Sequence, residues 1–402
     1  MEKTLFINKT TIAIFKKIVK YICIRIDRML VTFFSILPIK KNYIVLESEG
    51  DFWDNARAFY EYLIDNSYNN KYRIIWIVHE PNLYPRRKNV VFVSRHSLGI
   101  NLKADYFIAR TSCFLFTHPY WLKKWRKNQT VLNLTHSSMM LKAAGKNISN
   151  CFDYMLCASN AVKERKKKTY YITDDQAVIL GSPRMDLLYH SKNSIRKIIP
   201  HYNNERVIIS MSTFKQTKYW NDSASVDRFA LNIIESESDL ILLNDFLENH
   251  NTYLIIKIHH LQDMSFINSI RLNRIFYLID YDLQIKDIQL YELLGEADAL
   301  ITDYSSVYYD YLVLDRPIGF LIADIDDYSR GFCIDNPLDE MPGEKIKTVK
   351  QLYDFIISTN AGFDSYKKER ESLRDEVHLY KDDKNCARLI SWLERSEIIS
   401  EK

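Results

Sequence analysis

The sequence predicts an α/β fold built on two parallel sheets, and three observations carry that expectation. Short apolar runs alternate with amphipathic stretches, as in βαβ units whose sheet is covered on both faces. One polar segment, Tyr189–Glu205 with Pro200, interrupts the alternation and divides it into two series. The chain has 402 residues, whereas single cores seldom grow past roughly 250–300. Two Rossmann-like domains follow, spanning residues 41–195 and 205–375, with a helical segment before them and a helix over 376–402 behind.

The leading segment, residues 1–40, is expected to be helical. Phe15, Ile18, Val19, Ile22, Ile26, Met29, Leu30 and Phe33 recur at three- and four-residue spacing and would gather in one stripe. Lys16, Lys17, Lys20 and Arg28 fall on the opposite side. Residues 1–41 hold nine lysines and arginines against Glu2 and Asp27, a net +7; the whole chain is +4, so the rest carries −3. The uncharged run Met29–Ile39 is shorter than the roughly 20 residues that span a bilayer. It also lacks the small-residue cleavage site of a signal peptide. These features point to an amphipathic helix lying on an anionic membrane surface, with packing on the protein's own core as the alternative.

In the first domain the expected strands are Tyr43–Leu46, Arg73–Ile77, Val90–Val93, Tyr106–Ala109, Val131–Leu134, Tyr154–Cys157 and Val178–Leu180. Amphipathic stretches such as Trp53–Ile64 and Ala161–Thr169 lie between them. The second series comprises Val207–Ser210, Leu254–Ile258, Ile275–Ile279, Ala299–Thr302 and Ile318–Ile322. From Tyr366 onward the chain reads as charged helix packing back on the body.

Composition narrows the function. A 47% hydrophobic and 26% charged chain is globular. Six cysteines with no CxxC pair read as free thiols in a reducing compartment. The slightly acidic body gives no overall pull toward nucleic acid. No P-loop, no GxGxxG after the first strand, no HExxH and no GxSxG occurs, which argues against an NTPase, a dinucleotide dehydrogenase, a zinc peptidase and an α/β-hydrolase.

The most informative stretch is Ala297–Leu312. Its apolar start reads as a buried strand with Thr302 and Asp303 at the carboxyl end, followed by Ser305 and Ser306 as an N-cap before a helical segment. Open α/β sheets bind ligands at the carboxyl ends of their strands, and a helix start there suits a pyrophosphate. An ordinary strand–turn–helix with a serine cap is the plainer reading.

Asp303-Tyr304-Ser305-Ser306, Asp310 and Arg316-Pro317 together resemble the signature of the CDP-glycerol glycerophosphotransferase family, which builds teichoic acids and related phospho-alditol polymers. Gly181-Ser182-Pro183-Arg184-Met185-Asp186, Lys257-Ile258-His259, Asp324 with Tyr328, Arg330-Gly331-Phe332 and Pro342-Gly343 follow that family's order. The resemblance runs from about Tyr43 to about Gly343. It implies the GT-B architecture, two Rossmann-like domains facing across a cleft, and a place peripheral to the cytoplasmic membrane.

The resemblance also assigns roles. Thr135-His136-Ser137-Ser138-Met139-Met140-Leu141-Lys142-Ala143-Ala144-Gly145 is similar to the family's Trp-His-Gly-Thr-Pro-Leu-Lys-x-x-Gly. Thr, Ser and Met stand where Trp, Gly and Pro are usual, and one extra residue separates His136 from Lys142. His136 is then the general base and His259 the second catalytic histidine. His260 replaces the family's proline; a zinc site on the pair is disfavoured because neighbouring strand residues point to opposite faces. Substrate binding falls to Lys142, Arg184, Asp186, Thr213, Lys215, Lys257, Thr302, Asp303, Ser305, Ser306, Asp310, Arg330 and Gly331. Lys215 stands where the family has Arg, keeping the charge without the bidentate fork. A helix-capping His136, a structural Arg184–Asp186 pair and an Arg330 paired with a neighbouring carboxylate are the plainer readings.

The expected activity is transfer of a phospho-alditol, foremost glycerol phosphate, from CDP-glycerol to a hydroxyl of a lipid-linked saccharide or growing polymer, releasing CMP. No cofactor and no metal are expected, and homo-oligomerisation stays open. The alternatives are a CDP-ribitol donor, a nucleotide-sugar glycosyltransferase, or a non-catalytic relative that binds nucleotide at the membrane.

Overall fold

The computed structural model describes residues 9–94, 101–118, 122, 126–143, 147–213, 216–217, 220–221, 229–258, 270, 272–328 and 331–401. The first sheet holds β1 (Lys40–Glu47), β2 (Arg73–Val78), β3 (Val90–Ser94), β4 (Thr111–Phe116), β5 (Thr130–Asn133), β6 (Tyr154–Cys157) and β7 (Ala177–Ile179). All are parallel, in the order β3-β2-β1-β4-β5-β6-β7. Beyond it come β8 (Arg206–Met211), a small antiparallel pair β9 (Gln216–Thr217) and β10 (Trp220–Asn221), then β11 (Thr252–Lys257), β12 (Ile275–Leu278), β13 (Ala299–Thr302), β14 (Ile318–Leu321) and β15 (Glu344–Ile346). The second sheet is also parallel, ordered β12-β11-β8-β13-β14-β15.

Each strand order reverses once, between β1 and β4 in the first sheet and between β8 and β13 in the second. Such switch points open a crevice at the carboxyl ends of the strands, where α/β proteins bind ligands. Near-continuous apolar runs explain the burial of both sheets on both faces: Ile44, Val45 and Leu46 are fully buried, as are Leu300 and Ile301. One apolar cluster runs from Phe114 and Val131 in the first domain to Ile209 and Tyr304 in the second, so the two domains share packing.

The helices are α1 (Lys9–Phe34), α2 (Asp54–Asp65), α3 (Leu102–Arg110), α4 (Asn160–Tyr170), α5 (Ser194–Ile198), α6 (Glu237–Asn249), α7 (Asp280–Ile285), α8 (Leu290–Glu296), α9 (Val307–Tyr311), α10 (Val349–Asn360), α11 (Lys367–Val377) and α12 (Asn385–Arg395). The expected strand Tyr106–Ala109 is instead the end of α3, and the strand itself is the following Thr111–Phe116. Asn101 caps α3 by accepting from the Ala104 N–H at 3.1 Å, which commits the run to helix. A short apolar run carries no periodicity that would separate the two choices.

The segment α12 returns to the first domain. Cys386, Leu389, Ile390 and Leu393 pack with Ile44, Leu46, Leu132 and Leu156, each aliphatic contributing about 1.5–3 kcal/mol. At the other end, α1 packs on α3 through Val31 and Phe34, whose ring meets Tyr106 edge-on at 5.7 Å. Arg126 donates to the Leu37 carbonyl at 2.8 Å and Arg110 to that of Pro38 at 3.2 Å, satisfying the carbonyls just beyond the helix. Ile18, Ile22, Met29 and Phe33 of the expected stripe remain exposed, whereas Val31 and Phe34, which pack on the body, lie outside that stripe. Among the described residues no helix is long and apolar enough to cross a membrane.

Candidate active site

The switch point of the second sheet is bridged by one carboxylate. Asp303, fully buried at the end of β13, accepts from the Thr213 N–H at 2.9 Å, the Thr213 hydroxyl at 2.8 Å and the Ser305 N–H at 3.0 Å. Thr302 donates to the Met211 carbonyl at 2.6 Å, so both residues tie the end of β13 to the end of β8. The first domain reaches this point directly. Lys142 donates from Nζ to Thr213 Oγ1 at 3.1 Å, and its backbone forms an antiparallel bridge with Phe332. The Ala143 N–H donates to the Gly331 carbonyl at 3.0 Å, and the Cys333 N–H to that of Leu141 at 2.8 Å. Gly331 has φ +73, a left-handed conformation that favours glycine, and space for a Cβ is not what limits it.

Ser305 and Ser306 are half-buried beside this bridge. Ser306 takes the N-cap position of α9 but makes no side-chain cap hydrogen bond. The expected serine cap is thus replaced by Asp303, which receives the Ser305 N–H. With five residues, α9 adds little dipole; the serine hydroxyls are the useful groups.

His136 follows β5 on a loop whose preceding residue, Thr135, has φ +58. Its side chain is exposed to solvent, while Thr135, Ser137 and Ser138 are buried. The loop from 134 to 143 therefore runs from beneath His136 to the bridge with the second domain. His259, Lys215 and Arg330 lie outside the described residues.

Other residues of the expected set hold partners within the protein. Arg184 is buried and donates to Asp54 Oδ1 at 2.6 Å and Asp310 Oδ2 at 2.5 Å, with its guanidinium 4.5 Å over the Tyr291 ring. Burial alone would lower its pKa, but Asp54, Tyr291 and Asp310 hold it above the usual arginine range. Burial likewise opposes ionisation of Asp310, yet Arg184 and hydrogen bonds from Ser138 and Tyr291 keep it below the usual carboxylate range. Asp186 accepts from the Asn385 and Cys386 N–H groups at 2.9 and 2.8 Å, capping α12; burial still pushes its pKa up. Lys257 pairs with Asp280 at 2.8 Å. The plainer reading, a pair between Arg184 and Asp186, is thus replaced by Arg184 with Asp54 in its own domain and with Asp310 across the domain interface.

The sequence reading passed over Asp54, Asn55, Tyr291 and Lys166. Asp54 and Asn55 open α2, a position typical of acidic and amide residues, and that was the available signal. Nothing local marks Lys166 or Tyr291, because their partners are distant in sequence.

The family model described as CDP-glycerol:poly(glycerophosphate) glycerophosphotransferase matches residues 29–395. The chain belongs to that family. It is 26% identical over 344 residues to a teichoic acid poly(glycerol phosphate) polymerase of Staphylococcus epidermidis, covering 76% of this chain but 44% of that protein. It therefore spans less than half of that polymerase. It is 25% identical over 351 residues to the teichoic acid glycerol-phosphate transferase of Staphylococcus aureus, covering 80% of this chain and 85% of that one. The solved wall teichoic acid polymerase TagF shares the fold, with a TM-score of 0.72 at 20% identity over 97% of this chain and 99% of that chain. In this glycerophosphotransferase family member, then, the motif residues Lys142, Thr213, Asp303, Ser305 and Ser306 converge at one switch point, Arg184 and Asp310 pair across the domain interface, and Asp186 caps α12.

Proposed function

We propose that the protein transfers glycerol phosphate from CDP-glycerol to a hydroxyl of a lipid-linked saccharide or growing polymer, in the synthesis of teichoic acid or a related cell-surface polymer. The observation that carries this reading is the Lys142–Thr213–Asp303 bridge. It brings the loop bearing His136 onto a strand-end crevice where the Ser305 and Ser306 hydroxyls make no hydrogen bond among the described residues. The family and the relatives' names support the donor and the polymer.

In this reading the acceptor hydroxyl oxygen attacks the β-phosphorus of CDP-glycerol in line. The bond from that phosphorus to the bridging oxygen breaks, and CMP leaves. His136 takes the hydroxyl proton. The serine hydroxyls and Lys142 bind the diphosphate oxygens, with His259, Lys215 and Arg330 adding charge as the family resemblance implies. The two-domain arrangement fits the GT-B description. The exposed apolar row Ile18, Ile22, Met29 and Phe33, with Arg25 and Arg28 also exposed, supports docking of α1 on an anionic membrane at its cytoplasmic face.

The test is to incubate purified protein with CDP-glycerol, CDP-ribitol or UDP-sugars and a panel of lipid-linked acceptors. CMP release and acceptor extension with CDP-glycerol are expected. A teichoic acid ribitol-phosphate primase of Bacillus spizizenii, 23% identical over 391 residues, makes CDP-ribitol the second reading. Turnover confined to CDP-ribitol would select it; UDP release would replace both with glycosyl transfer.

A further inference from the structure

We propose that Lys166 is a positioning residue for His136, acting through the hydroxyl of Thr135 on a loop whose carbonyls Asn55 holds. The proposal rests on the His136 reading above. Thr135 is β-branched and yet sits at φ +58, a left-handed conformation such residues rarely adopt. Four contacts hold it there. Its N–H donates to Asn133 Oδ1 at 2.8 Å, and its hydroxyl donates to the Ser137 carbonyl at 3.0 Å. Asn55 Nδ2 donates to its carbonyl at 2.9 Å and to that of Leu134 at 3.0 Å. Lys166 Nζ approaches its Oγ1 at 3.5 Å while donating to the Leu156 carbonyl at 2.8 Å.

Both residues are built in. Asn55 is fully buried, and its Oδ1 accepts from the Arg184 N–H at 3.0 Å, so three partners settle which way its amide faces. Lys166 is 2% exposed. Among the described residues no carboxylate lies within ion-pair distance of it. Burial pulls its pKa down; Cys157 and Asp310 oppose that shift and Arg184 adds to it. A lone buried ammonium lowers stability, and a methionine of similar length would fill the same space without that cost. What the ammonium adds is a donor under the one loop that presents His136. The imidazole itself has no hydrogen bond among the described residues, so its direction is set by the backbone that these groups constrain. Thr135 also stands where the family carries tryptophan, which makes the Thr135–Lys166 contact this chain's own support behind the histidine.

The test compares wild type with Lys166→Met, Thr135→Val and the double variant, using CDP-glycerol turnover, melting temperature and ¹⁵N spectra of labelled histidine. Lys166→Met is expected to melt at or above wild type while kcat falls by about 10- to 100-fold, the scale of a displaced catalytic group. The KM for donor should stay within about twofold. Thr135→Val should reproduce the kcat loss, and the double variant should fall no further than either single change. The His136 imidazole signal should shift in both. Wild-type kcat with an unshifted imidazole signal in both variants would overturn the proposal, as would independent, additive losses. His136→Ala separates the two readings: if it keeps near-full activity the base assignment fails, whereas a shifted imidazole in Lys166→Met still supports the positioning.

Discussion

Arg184 Nη2 lies 2.5 Å from Asp310 Oδ2, a buried ion pair in which the arginine follows β7 in the first domain and the aspartate comes from α9 beside the serines. Asp54 takes the other guanidinium nitrogen at 2.6 Å. One side chain thus ties the start of α2 to the segment that follows Asp303.

Arg184→Met should therefore destabilise strongly, by about 3–5 kcal/mol, because it leaves the buried Asp310 carboxylate without its cation. Arg184→Met combined with Asp310→Leu should recover much of that loss, since the fully buried carboxylate is removed with its cation and the Asp54 side chain, 16% exposed, still reaches water. Denaturant unfolding of both variants checks this. Equal losses in the single and double variants would mean that the charges do not compensate one another.

His378 predicts a pH effect at the same place. It is buried, its Nε2 is 2.7 Å from the Tyr309 carbonyl, and burial lowers its pKa despite that bond and the nearby Asp310. A histidine depressed below its ordinary 6.5 is protonated more readily in the unfolded chain. Its stability contribution is complete above that value and is lost as pH falls through it toward the folded pKa. Unfolding free energy should therefore decline below about pH 6.5, and His378→Gln should flatten that decline. An unchanged slope in the variant would remove His378 as its cause.

Much of this architecture was legible locally. Tyr154–Cys157 and Ala299–Thr302 read as strands because fully buried parallel strands are continuous apolar runs, and the structure places them at those residues. Asp303 and the serines were legible as a strand-end motif. What sequence could not reveal was pairing at long range. Arg184 and Asp186 are neighbours in a motif, yet one meets Asp310 and the other caps α12, 126 and 199 residues away. Asn55 and Lys166 lie 80 and 31 residues from Thr135. No periodicity encodes such contacts; they exist only once the sheets are assembled.

The exposed row on α1 predicts membrane binding that point changes can remove. Val31 and Phe34 pack on the body, so deleting the helix would uncover α3 and confuse the result. Ile22→Asp, Met29→Asp and Phe33→Asp together should leave the melting temperature nearly unchanged, as expected for exposed positions. Sedimentation with phosphatidylglycerol vesicles should be lost, and wild-type binding should weaken with salt as the basic charge is screened. Undiminished vesicle binding by the triple variant would assign α1 to another surface.

Ser305 and Ser306 bear the most direct test of the site. Ser306 makes no side-chain cap bond, and the Ser305 N–H is already taken by Asp303. The hydroxyls therefore contribute little to the fold, and Ser→Ala should cost less than the roughly 0.5–2 kcal/mol of a lost helix cap. Toward a bound diphosphate the expectation reverses. A hydrogen bond to a charged group contributes about 1.5–3 kcal/mol, so each change should weaken CDP-glycerol binding by about ten- to a hundredfold. The backbone N–H groups and Lys142 remain in both variants, so the loss should be partial. Calorimetric titration of CDP-glycerol into Ser305→Ala and Ser306→Ala, beside their melting curves, reads both quantities. Unchanged affinity with lowered melting temperature in both would reduce the segment to a strand–turn–helix and move the diphosphate elsewhere in the cleft.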